Sequence, residues 1–487
     1  EMYLTPDDWT AEAYRPSMRQ EYNMSVSGGS QQSTYYLSVG YLDDKGVIEY
    51  SGFKRFSSRL KADYKFRDWG KVIANVGYVN STVNSNPNMD DSFGAVNLLY
   101  FTSSIAPIYP IYVREWKDGQ AQFVEDRFGN DLYDFGKGYS AAQRPFGAPG
   151  NPLGANRYNK VFDNNDQLNG SVNLEINFTD YLKFTSNNSM TMDLKRFTNY
   201  QNGLYGPSAG TNGRLTKGTE VAYRNNYSQI LTYFQDFDQH HVNLMLGHEY
   251  YRMHFHNLES EKQGGFSPDI LELNTFAKVK SGNSYRNDYN VEGYFASAQY
   301  DYDNRYFLSG SFRRDASSRF HKDNMWGNFW SLGGAWLISE ESWMAPAKSW
   351  IDLLKLKLSL GQQGNDNIGN FAYTDQYRLS PSSDTNMSPG FRQLGNKDVT
   401  WETTTNLNFG VEFNLFKERF SGNVDIYAKK TQDLLFWISI PESAGTRGYY
   451  GNIGDVLNSG FELTLNGAIV KTKLVDWSVY GNIAHNV

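Results

Sequence analysis

The sequence contains no cysteine, which excludes a disulfide framework, a thiol nucleophile and a thiolate metal site. No run of apolar residues approaches 18, so no transmembrane helix is expected. An excess of basic residues is also lacking. The formal net charge is −7 over 487 residues, which argues against nucleic acid as the main partner, because nucleic-acid binding favours a basic surface.

Aromatic residues, in contrast, are abundant. Tyr, Phe and Trp make up 16% of the chain, and 35 residues are Tyr. Tyr favours boundaries that are apolar on one side and wet on the other. A mean hydropathy of −0.61 with 20% charged residues is typical of a soluble protein. It is also compatible with a membrane barrel, because half of each barrel strand faces water.

Residues 53–66 carry the clearest pattern, a strict alternation of apolar and polar side chains. At roughly 3.3 Å per residue and a ~45° tilt, this stretch rises about 30 Å, enough to cross a bilayer. We therefore predict a barrel strand with its apolar face in lipid. A long edge strand of a soluble sandwich is the alternative. The residues expected to line a wet lumen are Arg55, Arg59, Lys61, Asp63 and Lys65.

The alternation recurs in roughly sixteen segments, nearly all of which we expect to pair with their sequence neighbours. Short and long connections alternate along the chain. This alternation is typical of a transmembrane antiparallel up-and-down β-barrel, which has short turns on one side of the membrane and long loops on the outer side. Residues 339–353 are the one exception, because they are too long for a short turn. The predicted long loops are 84–164, 194–222, 256–288, 364–400 and 435–453.

Several short stretches also resemble a known family. They are Y-N-M-S-V-S-G-G from Tyr22, Y-Y-L-S-V-G-Y-L-D-D-K-G from Tyr35, S-F-R-R-D-A-S-S-R-F from Ser311, W-G-N-F-W-S-L-G-G-A-W from Trp326, L-S-L-G-Q-Q-G-N from Leu358, V-T-W-E-T-T-T-N from Val399 and N-S-G-F-E-L from Asn458. Together and in this order they resemble the barrel of the SusC/RagA family of TonB-dependent transporters.

The resemblance implies about sixteen strands of a 22-stranded bacterial outer-membrane barrel at residues 20–487, with residues 1–19 as an outer-loop lead-in. It implies uptake of oligosaccharides or peptides together with a SusD-like surface lipoprotein, without a cofactor. Energy would come from the TonB-ExbB-ExbD complex through an N-terminal region, and a plug would fill the barrel. We expect sequence to be missing at both ends, since the N-terminal region and the plug are not present here and Val487 breaks off inside a strand-like pattern.

Residue patterns for metal binding and catalysis are weak. His248 and His254 are six residues apart in a strand pattern, whereas a zinc protease needs the i, i+4 spacing of a helix. Residues 364–370 are rich in oxygen donors, but they lack the spacing and the final Glu of an EF-hand, so an Asn/Gly turn is favoured over a calcium loop. No acid–nucleophile pair is recognisable. We therefore predict neither a metal site nor an enzyme.

Loop aromatics are the candidates for ligand contact, because sugar rings and peptides both dock on aromatic faces. These candidates are Trp116, Tyr133, Tyr139, Tyr158, Tyr205, Trp437, Tyr449 and Tyr450. Packing of loop on loop, or contact with the lipoprotein, would explain the same residues. A soluble all-β protein that binds or cleaves carbohydrate is the alternative function, and it would not explain the alternation of short and long connections. A passive porin is a third possibility.

Overall fold

Strands that are neighbours in the sequence are also neighbours in the main sheet of the computed structural model. The structure describes residues 6–85, 97–126, 129–136, 144, 150–383, 385–472 and 474–487. Sixteen antiparallel strands form this sheet, with the first and the last at its edges, which confirms the predicted number and topology. The strands are β1 (Arg19–Gly29), β2 (Ser33–Lys45), β3 (Gly52–Arg67), β4 (Gly70–Ser85), β5 (Lys160–Asn177), β6 (Leu182–Gln201), β7 (Arg214–Phe237), β8 (His240–Gly265), β9 (Phe276–Tyr302), β10 (Tyr306–Ser317), β11 (Trp326–Leu337), β12 (Ile351–Asn365), β13 (Glu402–Leu415), β14 (Phe420–Gln432), β15 (Val456–Lys471) and β16 (Asp476–Asn486).

Smaller elements lie in the long connections. Three helices are short: α1 (Trp9–Ala13), α2 (Leu98–Ser104) and α3 (Pro152–Tyr158). Three hairpins pair Arg114–Lys117 with Gln120–Phe123, Gln376–Pro381 with Met387–Gln393, and Leu435–Ser439 with Gly448–Asn452. In the described part of the chain, no helix has the length and apolar character needed to cross a membrane.

One face of the sheet, here called the apolar face, carries rows of apolar side chains in register. Leu37 lies opposite Leu60, and Leu60 lies opposite Val76. A second row crosses β10–β15 through Leu308, Gly334, Leu358, Phe409, Ile426 and Phe461. These side chains are exposed, Leu308 by 60% and Leu60 by 50%. Soluble monomers rarely expose apolar patches beyond a few hundred Å², so the apolar face is suited to lipid.

The opposite face, here called the polar face, lies on the inside of a curled sheet. A cavity of about 720 Å³ is lined by residues from eight consecutive strands, β7–β14, among them Asp236, Gln299, Lys357, Asn408 and Asp425. Eight flat strands spaced ~4.8 Å apart would span roughly 34 Å. One cavity of this size can contact all eight only if the sheet bends around it. In the described part of the chain no second large sheet packs on this one, as it would in a soluble sandwich.

Two of the predicted loops are much shorter than expected. The loop predicted at 194–222 occupies 202–213, and the loop predicted at 256–288 occupies 266–275, because β6–β9 continue far outward. β9 has 27 residues, roughly 90 Å of extended chain, which exceeds any bilayer. Beyond the bilayer both faces of a strand meet water. Neither face then needs apolar residues, and the period-2 signal disappears.

The long connection on the short-turn side consists of two 3₁₀ helices, Ile338–Glu340 and Ser342–Ser349. It is anchored by Glu341, whose side chain is only 8% exposed. This carboxylate accepts hydrogen bonds from the Tyr306 hydroxyl and from Trp336 Nε1, the latter at 3.0 Å. The predicted exception to the short turns is therefore an ordered cap rather than a strand that the sequence failed to reveal.

Candidate ligand-binding site

Buried side chains of the long connections form a dry core at one end of the sheet. This first loop cluster consists of Trp9, Ala13, Ile48, Leu98, Phe101, Ile105, Ile111, Tyr133, Phe135 and Leu153. It gathers segments from before β1, from the β2–β3 connection and from the β4–β5 connection. Its helices begin at side-chain caps, since Asp8, Asn97 and Asn151 accept hydrogen bonds from backbone N–H groups of α1, α2 and α3.

Asn151 fixes the position of α3 within this cluster. Its side chain is fully buried, and Oδ1 accepts hydrogen bonds from the N–H groups of Leu153 and Gly154, both at 3.1 Å. Nδ2 donates to the carbonyls of Ile111 and Asp134 at 2.9 and 3.0 Å. One amide thus satisfies four backbone groups that burial would otherwise leave unpaired, and it ties α3 to two other segments.

Three of the predicted aromatic residues meet at the end of α3. Tyr158 lies 5.9 Å from Tyr133 and 4.9 Å from Tyr205, measured between ring centroids. Tyr133 is only 6% exposed and stacks further against Tyr112 at 4.8 Å. Tyr133 therefore supports Tyr158 from within the cluster rather than presenting its own face to solvent.

Tyr158 and Tyr205 line an open cavity of about 240 Å³, here called the loop cavity. The other lining residues are Phe135, Gly154, Ala155, Asn159, Gln201, Asn202, Pro207 and Ser208. Binding pockets commonly measure ~300–1,000 Å³, so this cavity suits a single sugar unit or side chain. Aromatic faces beside amide and hydroxyl groups provide both stacking and hydrogen bonding.

The Tyr158 hydroxyl is held inside the protein. It donates a 2.6 Å hydrogen bond to Asp126 Oδ2. Burial, and next this hydrogen bond to a carboxylate, raise the pKa of Tyr158 above its ordinary value. The phenol therefore stays neutral at physiological pH, and its orientation is fixed, which leaves the ring rather than the hydroxyl as the group available to a ligand.

Sequence reasoning missed the polar half of the loop cavity. The backbone N–H of Asn202 donates a 2.8 Å hydrogen bond to Asn159 Oδ1, and its side-chain Nδ2 donates to the Tyr205 carbonyl at 3.2 Å. These contacts join the ends of β5 and β6. Asn159 precedes β5 and Asn202 follows β6, so the antiparallel pairing of these two strands brings the two residues together. That predicted pairing was the only sequence signal that could have located them.

The remaining predicted aromatic residues lie elsewhere. Trp437 and Tyr450 face each other across the hairpin of 435–452, with ring centroids 5.1 Å apart, and Tyr449 lies beside them in the same hairpin. Trp116 lies in a separate hairpin and is about half exposed. Tyr139 lies outside the described residues. The structure therefore brings together Tyr133, Tyr158 and Tyr205, but not all eight.

Tyr450 packs against a second loop cluster of Phe320, Phe329, Ile368, Ala372, Val399 and Trp401. The oxygen-rich stretch 364–370 lies next to this cluster. Asp366 Oδ2 accepts hydrogen bonds from the hydroxyls of Tyr289 at 2.7 Å and Ser317 at 2.6 Å, and Arg319 lies 3.4 Å from Oδ1. These three donors hold the Asp366 carboxylate in place within the loop.

The two histidines of β8 that were considered as metal ligands each pair with a different carboxylate. His248 Nε2 lies 3.2 Å from Glu292, and His254 Nδ1 lies 2.6 Å from Asp288, each pair being separate. Among the described residues, no group of three or more His, Asp or Glu side chains has the geometry to hold a metal ion.

The five residues predicted to line a lumen share the polar face of β3. Lys61 lies 3.9 Å and Lys71 3.6 Å from the two oxygens of Asp63, and Arg59 Nε donates to Asn75 Oδ1 at 2.7 Å. Arg55 lies 3.7 Å from Glu21, and Lys65 lies 2.9 Å from Asp68. Charges of both signs are thus interleaved, as a hydrated surface requires.

The sequence and fold of this chain are similar to those of known proteins. The family model described as TonB dependent receptor-like, beta-barrel, matches residues 115–486. The chain belongs to this family. The resemblance inferred from the sequence motifs is thereby confirmed, and the outer membrane is the location of the protein.

Individual proteins that are similar to this TonB-dependent receptor barrel support the same family assignment. The TonB-dependent receptor SusC of Bacteroides thetaiotaomicron is 29% identical over 98% of this chain and 48% of that protein. The TonB-dependent receptor P39 of Formosa agariphila is 28% identical over 96% of this chain and 42% of that protein. The solved structure of the RagAB peptide importer in the 'closed-closed' state superposes with a TM-score of 0.81 and 25% identity, covering 99% of this chain and 52% of that one. The chain spans about half the length of the curated relatives it matches, and the family consists of receptors and transporters rather than enzymes.

Proposed function

We propose that this chain is the barrel part of a SusC-type outer-membrane importer. It takes up oligosaccharides or peptides together with a SusD-like lipoprotein, and the TonB-ExbB-ExbD complex supplies the energy. The observation that carries the proposal is the two-faced sixteen-stranded sheet, which curls around its polar face and bears a dry, aromatic loop cluster at one end.

In this proposal, cargo first meets the loop cavity. The ring of Tyr205, backed by Tyr158, stacks on a sugar or side chain, while Asn159, Gln201 and Ser208 offer hydrogen bonds. Trp116, Trp437, Tyr449 and Tyr450 provide further contact surfaces on neighbouring loops. The charged row on β3, including Arg59 and Lys61, lines the wet interior through which cargo passes.

The choice between glycan and peptide is a matter for experiment. The solved neighbour is named a peptide importer, and stacking on tyrosine suits either cargo. A strain carrying only this importer should be tested for uptake of fluorescent oligosaccharides and of fluorescent peptides, with and without TonB. TonB-dependent uptake of one class supports the proposal. TonB-independent uptake would instead favour a passive porin, and failure to take up either class would contradict the proposal.

The loop cavity is tested by Tyr205→Ala in the complete protein. Loss of an aromatic contact is worth about 0.5–1.5 kcal/mol, so affinity for the imported oligomer should fall roughly 2- to 13-fold. Phe178→Ala is the matched control, because Phe178 is an exposed aromatic residue at the short-turn end of the sheet. If the Tyr205 variant and the natural protein bound the oligomer with equal affinity, the loop cavity would not be a cargo-binding site.

A further inference from the structure

A second depression in the loops has a different chemistry from the loop cavity. It measures about 440 Å³ and lies between the hairpin of 376–393 and the segment 442–447. Its charged lining residues are Arg378, Arg392, Arg447 and Glu442, and the rest are small, polar or aromatic. We call it the arginine pocket. Three arginines against one glutamate leave two positive charges uncompensated, in a chain whose net charge is −7.

The strand register explains why two arginines share one face of the hairpin. Arg378 lies opposite Gly390, and Tyr377 lies opposite Phe391. The next pair is Gln376 with Gln393, so Arg392 is the extra residue of a β-bulge. A bulge redirects a side chain and is frequent beside functional sites. Because Gly390 has no side chain, the space in front of Arg378 stays open.

The third arginine is brought to the pocket by a well-defined contact. Thr446 is buried, and its hydroxyl donates a 3.0 Å hydrogen bond to the carbonyl of Arg392. This bond ties the segment 442–447 to the bulge itself. Arg447 and Glu442 form a pair at 3.1 Å, but both side chains are largely exposed, so the pair contributes little.

The other two guanidinium groups have no carboxylate partner among the described residues. Neither Arg378 nor Arg392 takes part in an ion pair there, whereas other loop arginines such as Arg15, Arg114 and Arg319 do. The only acidic residue of the hairpin, Asp384, lies outside the described residues. Like charges held side by side repel, and an oxyanion between them would relieve this repulsion through bidentate hydrogen bonds.

We propose that the arginine pocket binds an oxyanion carried by the imported oligomer, namely a carboxylate. This inference rests on the proposed import function and narrows its cargo to acidic oligomers. The oxyanion accepts hydrogen bonds from Arg378 and Arg392, and Arg447 exchanges Glu442 for it. The loop cavity and the arginine pocket then recognise different parts of the cargo, one by stacking and one by charge.

The test measures binding to the complete protein in detergent by calorimetry. The probes are a galacturonic acid tetrasaccharide, its methyl-esterified neutral counterpart, and a short peptide of alternating Glu and Ala. The natural protein should bind an acidic probe at least tenfold more tightly than the neutral one, and added salt should reduce this preference. The double variant Arg378→Gln with Arg392→Gln should lose the preference while its affinity for the neutral probe stays unchanged.

Matched variants separate a site from a general effect of charge. Arg286→Gln removes an exposed arginine on β9 and should leave the preference intact. Replacing Arg378 and Arg392 by Lys keeps the charge but loses the planar fork, so it should restore the preference only in part. Loss of preference with one acidic probe alone identifies the source of the oxyanion. An unchanged preference in the double Gln variant, or equal binding of acidic and neutral probes by the natural protein, overturns the inference; TonB-dependent uptake of neutral oligomers would leave the import proposal intact in that case.

Discussion

Leu60 and Phe101 are both apolar, yet they lie in opposite surroundings. Leu60, on the apolar face of β3, is 50% exposed, whereas Phe101, in α2 of the first loop cluster, is fully buried. The same contrast separates the whole apolar face from the whole cluster. In the sheet the apolar side chains point away from the protein, and in the loops they point toward one another.

The contrast shows that two solvents stabilise the two regions. In a bilayer an outward leucine is already in an apolar medium, so the sheet needs no second layer to cover it. The loops stand in water and have to bury their own apolar surface, as any small soluble domain does. Substitutions of apolar residues should therefore be costly in both regions, but for different reasons: in the loops they disrupt a dry core, and on the sheet they place a polar group in lipid.

The largest effect is expected from Phe101→Ala. Phe101 packs against Trp9 at 5.1 Å, and the variant would open a cavity in the first loop cluster. Its cost should be about 3–5 kcal/mol of local stability. Hydrogen exchange should accelerate in α1–α3 and stay unchanged in β10–β14. Leu99→Ala, half exposed in the same helix, is the control. If both variants had the same effect, the loops would have no dry core.

An intermediate effect is expected from Leu60→Arg. A charge on the lipid side near mid-membrane should cost about 2–4 kcal/mol. Arg59→Leu, one residue away on the polar face, should cost only about 1 kcal/mol, chiefly through the lost hydrogen bond to Asn75. Refolding of the complete protein into bilayers, titrated with urea, measures both. Equal sensitivity of the two positions would refute the assignment of the faces.

The smallest effect is expected from Trp401→Phe in the second loop cluster. The indole Nε1 donates a 2.9 Å hydrogen bond to the Met325 carbonyl. Phenylalanine would remove this bond and leave the carbonyl with only the 3.1 Å hydrogen bond from the Ser317 N–H. The expected cost is that of one lost hydrogen bond, about 0.5–1.5 kcal/mol, visible as faster hydrogen exchange around Met325. Trp437→Phe, in a more exposed hairpin, should change stability by less than about 0.5 kcal/mol. A larger effect at Trp437 would mean that the hairpin, and not the cluster, stabilises these loops.

The fold was accessible from sequence wherever a strand separates two environments. Residues 53–66 show the alternation because one face meets lipid and the other meets water, and β3 covers them. The outer halves of β6–β9 do not show it, since both faces are wet there. The predicted loops at 194–222 and 256–288 were too long for this reason.

The candidate site was accessible only in part. Tyr158 and Tyr205 could be named because aromatic residues in long loops are candidates for stacking on a ligand. Their 4.9 Å contact, and the contribution of Phe135 and Gln201, depend on segments far apart in the chain. The same is true of Arg378 and Arg447, which meet through a hairpin and a loop that no local pattern connects.

The sequence by itself determined the two-faced strands, their number and their order, because side-chain alternation and turn spacing are local properties that repeat every few residues. Only the tertiary structure decided where the strands end above the membrane, which aromatic rings face each other, and which arginines have no carboxylate partner among the described residues. Those outcomes arise from long loops packing into shared cores, where contacts join residues that the sequence places tens of positions apart.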